Sequence, residues 1–225
     1  LQLVNENYFI QILRKGNDMS YGICNDTDVV IAKFVVPTTM KMNRPYFISD
    51  TLSLKRYASS REAYRWEIES NIEPLSSNAN ELMKLLITRQ ISETLRVAIP
   101  QNVAAENMLS IGSDTISLPA TGAIGTSNIT IRGLGINHII PLGYFISLSN
   151  ATRTVVYMIN SVVKGTGADY NIEIFPPLRH SDYNSIKIKN VIMDCYLDTD
   201  AVRGMVYTDG ILMTTGTLKL LEAIV

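Results

Sequence analysis

The chain has 225 residues, of which 46 % are hydrophobic and 18 % charged, and its formal net charge is −1. That length suffices for one large or two small domains, and that apolar content supports a substantial core and excludes a disordered chain. The near-zero charge gives no electrostatic reason to expect a nucleic-acid or anionic-membrane partner.

A charged fraction below the ~25 % usual for soluble domains has two readings, a large core or a sizeable surface buried against other subunits. The second is preferred. Cys24 and Cys195 lie far apart with no C-x-x-C pattern, and read as two unrelated buried thiols rather than a bridge. Residues 1–20 carry Asn5, Glu6, Asn7, Arg14 and Lys15, which leaves no apolar signal segment. The longest apolar stretch, Val29–Pro37, is broken by Lys33 and is too short to span a bilayer. The expectation is a protein made and assembled in cytoplasm, with no membrane partner.

In chain order, Leu1–Ile12 begins with an extended pattern and Arg14–Ser20 reads as a turn. Tyr21–Ile23 and Val29–Val36 predict strands around the polar tip Asn25–Asp28, and Pro37–Asp50 a loop or irregular edge because of Pro37 and Pro45. Thr51–Tyr57 alternates. In Arg61–Ile68, Tyr64, Trp66 and Ile68 oppose Arg65, Glu67 and Glu69, as in a strand with one solvated face. One helix is predicted over Asn78–Gln90, with Asn78 as N-cap, Glu81 completing a capping box, and Leu82, Leu85 and Leu86 as its buried stripe. Glu93–Pro100 returns as a strand.

The composition then turns Gly-, Ser-, Thr- and Ala-rich, with a strand candidate at Asp114–Leu118 and a domain boundary near Asn102. From Ile129 to Arg179 alternation with a period of two is pronounced. Tyr144, Ile146 and Leu148 share one face, as do Val155, Tyr157 and Ile159, and then Tyr170, Ile172, Ile174 and Pro176. Counting Ile129–Arg132, these four strands suggest a barrel of roughly OB-fold size. Alternation resumes at Ile186 and Ile188 and continues into Val191–Leu197, followed by a turn at Asp198–Asp200 and a last strand over Thr217–Val225. In that strand Leu218, Leu220 and Glu222 oppose Lys219 and Leu221. The fold class is therefore mainly β with one helix: a discontinuous outer β-sandwich or barrel (1–102 plus 183–225) and an inserted OB-like β-barrel (103–182).

Few motifs carry chemistry. Gly133-Leu134-Gly135 follows a strand but lacks the third glycine and the helix of a dinucleotide loop, and reads as a turn. Asn25–Asp28 and Asp198–Asp200 offer oxygens but not the glycine and distal glutamate of a calcium loop. His138 and His180 stand apart from any nucleophile motif and fit a turn or rim. Glu67, Glu69 and Glu73 offer paired carboxylates, but two of them on the same strand face more simply form its solvated side. Tyr144, Phe145, Tyr157, Tyr170 and Phe175 could form an exposed stacking platform, but the surrounding charge is close to neutral and core packing explains most of the rings. No catalytic residue, metal or cofactor is expected.

A family resemblance enters through a combination of local motifs. Ile131-Arg132-Gly133-Leu134 is followed by Gly143-Tyr144-Phe145-Ile146-Ser147-Leu148, then Val155–Ile159, then Pro176-Pro177-Leu178-Arg179. Together with Tyr64 and Trp66, the helix, the strand Leu95–Pro100 and the closing Lys219-Leu220-Leu221-Glu222-Ala223, the stretch Thr51–Val225 resembles the distal tail proteins of long-tailed bacteriophages. The resemblance implies a ring, commonly of six subunits, between the tail-tube protein and the baseplate hub or tip protein, with the OB-like domain turned outward toward collar, fibre or receptor-binding components. It implies a virion protein that lets genomic DNA pass without binding it specifically. A lumen that passes DNA should lack strong positive charge, which makes Glu67, Glu69 and Glu73 the candidate lumen-facing residues. Two rivals stand beside it. A glycan- or host-surface-binding module needs at least two of Tyr144, Tyr157, Tyr170 and Phe175 side by side in solvent, and another tail part, such as a terminator or a baseplate wedge, would have similar sheets.

Overall fold

The computed structural model describes residues 21–50, 56–60, 64–75, 78–89, 93–101, 116–120, 122–134, 139–165, 167, 169–198, 206–208, 211–214 and 216–224. The readings made for residues 1–20, for most of 51–63, for His138 and for Thr199-Asp200 lie outside the described residues. No described helix is long and apolar enough to cross a membrane.

Six strands close an outer barrel: β1 (Gly22–Cys24), β2 (Val30–Asn43), β5 (Arg65–Pro74), β6 (Leu95–Ala98), β13 (Ile192–Leu197) and β16 (Thr217–Glu222), in the order β1-β2-β5-β16-β13-β6. Closure runs through β1, whose three residues pair antiparallel with β2 on one side and β6 on the other. Gly22 lets it fit, because a Cβ there would lie 1.8 Å from the Ala32 carbonyl oxygen. Inward positions are Ile23, Ile31, Ile68, Ile72, Leu95, Val97, Met193, Cys195, Leu218 and Leu220. The helix α1 (Ala79–Thr88) adds Leu82, Leu85 and Leu86 to that core.

Two hairpins of this barrel continue beyond it as separate two-stranded ribbons. β3 (Tyr46–Asp50) pairs with β4 (Arg56–Ser60) between β2 and β5, and β14 (Val206–Thr208) pairs with β15 (Ile211–Thr214) between β13 and β16.

The inserted unit is a second antiparallel sheet of six strands: β7 (Ser117–Ala120), β8 (Asn128–Arg132), β9 (Phe145–Ser149), β10 (Thr154–Lys164), β11 (Asp169–Phe175) and β12 (Ser185–Lys187), in the order β12-β9-β10-β11-β8-β7. Its edge strands β12 and β7 come close enough to nearly close a barrel. Ile129, Ile131, Ile146, Leu148, Val155, Tyr157, Ile159, Tyr170, Ile172 and Ile174 fill it, on the faces that the alternation indicates. The insertion leaves the outer barrel intact because the chain departs after β6 and returns at β13, and these two strands are neighbours, with Ile192 opposite Ala98.

The mainly β class, the one helix among the described residues and the interrupted outer barrel agree with the sequence reading. Several details differ. The stretch from Pro37 is not a loop: β2 runs on to Asn43, and Pro37 sits where the β2–β5 register shifts between Val35 and Thr39, so its missing N–H costs no ladder bond. The inserted sheet has six strands rather than the five of an OB fold. It also extends past residue 182, because β12 pairs with β9, and the outer barrel resumes only at Val191 and Ile192. Asn78 precedes the helix but makes no side-chain capping bond. Arg89, just past the helix, reaches Asp26 at 2.8 Å and Glu93 at 3.4 Å, tying the helix end to the β1–β2 turn. The ribbon β14–β15 had no counterpart in the sequence reading.

Candidate functional site: the seam between the barrels

Most of the buried polar chemistry lies where the barrels meet. Strand β10 is apolar on both faces, and both are used. Val155, Tyr157 and Ile159 point into the inserted barrel, while Val156 and Met158 join Phe145 against the outer core. Trp66 meets Phe145 edge-on at 5.1 Å, and Tyr64 meets Phe175 at 5.3 Å. This double burial is why the Val-Val-Tyr-Met-Ile run reads as almost continuously hydrophobic.

The seam also solves an edge problem. β11 runs out at Phe175, opposite Met158, so Thr154–Tyr157 of β10 have a neighbour only on the β9 side. Three of their outward backbone groups are received by side chains of the outer barrel. The Thr154 N–H donates to Asp194 Oδ2 at 2.9 Å, the Val156 N–H to Glu222 Oε1 at 3.5 Å, and the Val156 carbonyl accepts from Trp66 Nε1 at 3.3 Å. β9 has the same need, because its pairing with β12 stops at Ser147. There the Gln101 carboxamide takes the place of a peptide unit: its Oε1 accepts from the Phe145 N–H at 3.0 Å and its Nε2 donates to the Phe145 carbonyl at 2.9 Å. Unpaired strand groups out of water are costly, so each such bond removes a penalty of about 1–3 kcal/mol.

Glu222 is the centre of this arrangement. It is 1 % exposed, accepts from the Trp66 N–H at 3.1 Å, and pairs with Arg179 Nη1 at 3.0 Å. Arg179 in turn donates to the Tyr64 carbonyl, and its backbone N–H donates to the Tyr157 hydroxyl, which lies 2.9 Å from that of Tyr183. Burial holds the Glu222 carboxyl above the ordinary carboxylate range despite the Arg179 charge and the two backbone N–H groups that lower it. Asp194 is shifted the same way, again by burial, against the pull of Arg96 and of the Thr154 N–H. A second polar group ties the same seam on its flank: Asp28 holds Arg96 at 2.9 Å and Lys187 of β12 at 2.8 Å.

The candidate lumen residues Glu67, Glu69 and Glu73 share the outward face of β5, but they do not make an acidic stripe. Across the ladders stand Lys41 opposite Glu67, Lys219 opposite Glu69 and Lys33 opposite Glu73. Glu67 is not solvated as expected: it is 4 % exposed, under Lys41 at 3.6 Å, Arg65 at 3.3 Å and Asn43 at 2.9 Å. Burial alone would raise its pKa, and the Asn43 and Arg65 hydrogen bonds with the Lys219 and Lys41 charges carry it below the ordinary value instead. Glu69 and Glu73 are exposed.

The proposed aromatic platform is overturned. Tyr144, Tyr157 and Tyr170 are buried in the inserted core, and Phe175 is half-buried against Tyr64. The same alternation that makes them neighbours puts them on the inward face. His180 sits at the rim with Nδ1 2.7 Å from Arg153, beside Tyr183. Cys24 and Cys195 are both free and buried, with burial pushing Cys24 up to about 11.

Among the described residues no group of three or more His, Cys, Asp or Glu side chains is placed to hold a metal ion. The Asn25–Asp28 tip is an Asx-type turn in which Asn25 Oδ1 accepts from the Thr27 and Val29 N–H groups. An open groove of about 260 Å³ lies at the rim of the outer barrel between Asn43, Pro45, Tyr64, Arg65 and Ile224. Arg44 stacks its guanidinium 5.1 Å from the Tyr64 ring in the same region.

Sequence reasoning missed Glu222, Asp194 and Gln101. One signal was present: Glu222 falls in phase with Leu218 and Leu220, a charged residue at an inward position of an alternating strand. Arg179, at the end of Pro176-Pro177-Leu178-Arg179, was noticed as a motif residue but not as the partner of that charge. A scan against protein-family models finds no match to this chain, and a search of curated proteins finds none either.

Proposed function

We propose that the protein is a structural subunit of a long-tailed phage virion that closes into a ring, commonly a hexamer, at the distal end of the tail tube. The outer barrel packs against its neighbours, the tail-tube protein on one rim and a baseplate hub or tip protein on the other. The inserted barrel faces outward for collar or fibre proteins, and genomic DNA passes through the lumen unbound.

The observation that carries this reading is the pair of ribbons, β3–β4 and β14–β15, outside both barrels. A two-stranded ribbon is marginal in water by itself and exposes strand edges that invite pairing. A subunit that meets its neighbours head to tail supplies those edges with partners. Apolar side chains left wet on the isolated chain, Val36, Ile87 and Val206 on the outer unit and Ile139, Leu142 and Val163 on the insert, agree with further contacts. The motifs behind the resemblance have physical work here: Gly133 and Gly143 adopt positive φ at strand ends, and Arg179 joins the two barrels. Burial of Tyr144, Tyr157 and Tyr170 removes the platform that the glycan-binding alternative required.

Native mass spectrometry and negative-stain imaging of the purified chain test the proposal. A closed ring with a central opening is expected. A monomer at all concentrations, persisting when the chain is co-expressed with the tube and hub proteins of the same particle, overturns it.

A further inference from the structure

We infer that Glu222 and Asp194 are positioning residues that fix the pose of the inserted barrel on the outer barrel, by standing in for a strand on the free edge of β10. The inference is independent of the ring. It starts from the fact that the groups received, the Thr154 N–H and the Val156 N–H, belong to one edge of one strand and are spaced by two residues. Two carboxylates on adjacent strands of the outer barrel, β13 and β16, meet them at that spacing. Trp66 completes the set by donating to the Val156 carbonyl, the next group along the same edge, and Arg179 compensates the more buried of the two charges.

An apolar contact tolerates sliding and rotation; a backbone edge received at fixed points does not. Sliding β10 by one residue would bring carbonyls, not N–H groups, against the carboxylates. The apolar seam of Trp66, Phe145, Val156 and Met158 supplies attraction, and the carboxylates select one register from it. Buried ionic groups commonly add little net stability over apolar replacements, and choosing one arrangement is their best-attested role.

The test uses the full chain carrying two spin labels, at Lys84→Cys on α1 and Asn128→Cys on β8, both exposed positions. Burial of Cys24 and Cys195, which raises both thiols, keeps the native cysteines unreactive under brief labelling. The unsubstituted seam should give one narrow distance. The double variant Glu222→Gln with Asp194→Asn should broaden it by about twofold and speed amide exchange at Thr154 and Val156 by ~10-fold or more. Amides of the β8–β11 pair, internal to the inserted barrel, should keep their rates. A distance that stays narrow with both amides still protected overturns the inference, since the apolar contact then sets the pose alone. If the double variant does not fold, Asp194→Asn alone gives the reading: faster exchange at Thr154 in a folded chain with a broadened distance supports the inference, and an unchanged distance, or loss of the fold, overturns it.

Discussion

The two barrels have the same strand number and similar aliphatic content, but they handle polar groups differently. Inside the inserted barrel the polar groups are phenols, and Tyr157 and Tyr183 answer each other. The outer barrel admits a carboxylate, Glu222, and sends side chains from β5, β6's exit, β13 and β16 to serve the edges of its neighbour. A barrel that nearly closes on itself needs little help. At the seam, where β11 and β12 stop short, the help comes from the other domain, through Glu222 and Asp194. The other buried carboxylate, Glu67, lies away from the seam under Lys41 and Arg65. The lesson is that the polar residues of the seam mark where strand pairing is incomplete.

The largest effect that would break the comparison belongs to Gly22, in the shortest strand of the outer barrel. Gly22→Val places side-chain atoms against the backbone of β2, with the first carbon 1.8 Å from the Ala32 oxygen. We expect a loss of about 3 kcal/mol or more, because backbone rather than a side chain must give way. Chemical denaturation should show the outer barrel unfolding first, and an unchanged midpoint would remove β1 as the closing strand.

Next comes the shared charge. Arg179→Met leaves Glu222 buried without its cation, with an expected cost of about 3–5 kcal/mol. Glu222→Gln leaves Arg179, which is 13 % exposed, able to turn toward water, and should cost clearly less. Equal losses in the two variants, read by urea denaturation, would show that the pair's worth lies in packing and not in the uncompensated carboxylate.

A smaller effect separates the cores. Leu86→Ala in α1 removes a fully buried side chain from the outer core and should cost about 2–5 kcal/mol. Tyr183→Phe in the inserted barrel removes one hydroxyl, while Tyr157 keeps the Arg179 N–H as a partner, so about 1 kcal/mol is expected. A Tyr183→Phe loss as large as that of Leu86→Ala would mean that the inserted core depends on its phenol pair.

Much of this architecture is legible in the sequence because its strands alternate cleanly. The inward phase of Ile146 and Leu148, of Tyr157 and Ile159, and of Ile172 and Ile174 follows from spacing alone, as does the stripe Leu82, Leu85 and Leu86. Proline misled at Pro37, since a register shift in a long antiparallel pair hides a residue without an N–H as well as a loop does. The boundary near 183 failed because β12 is only three residues long and its partner, β9, lies far away in sequence. Solvation was misjudged at Glu67 because Lys41 and Arg65 approach it from another strand and from along its own. Gln101 and Asp194 carry no local signal, since their work is defined by where β11 and β12 end. What periodicity cannot show is which strand runs out first.

The finest prediction concerns the sign of the pH dependence. Glu222 and Asp194 sit above the ordinary carboxylate range in the folded chain, because burial disfavours their charge. As pH falls from neutral through those raised values, the folded chain takes up protons that the unfolded chain does not yet bind, so stability from this source rises. Glu67 has the opposite sign: held below the ordinary value by Asn43 and Arg65 against its burial, it contributes fully above that value and loses its contribution as pH falls through the lower folded one. The two windows separate, with the first effect at the higher pH. Urea denaturation from about pH 7 to pH 5 should therefore show the unsubstituted chain gaining on Glu222→Gln as pH falls, by at most about 1.4 kcal/mol per pH unit. A difference that shrinks over that interval would mean that the Arg179 charge dominates the buried carboxylate, making the seam an ordinary salt bridge weakened by acid. A growing difference identifies it as a site where a charge is held against its own desolvation to satisfy a strand edge.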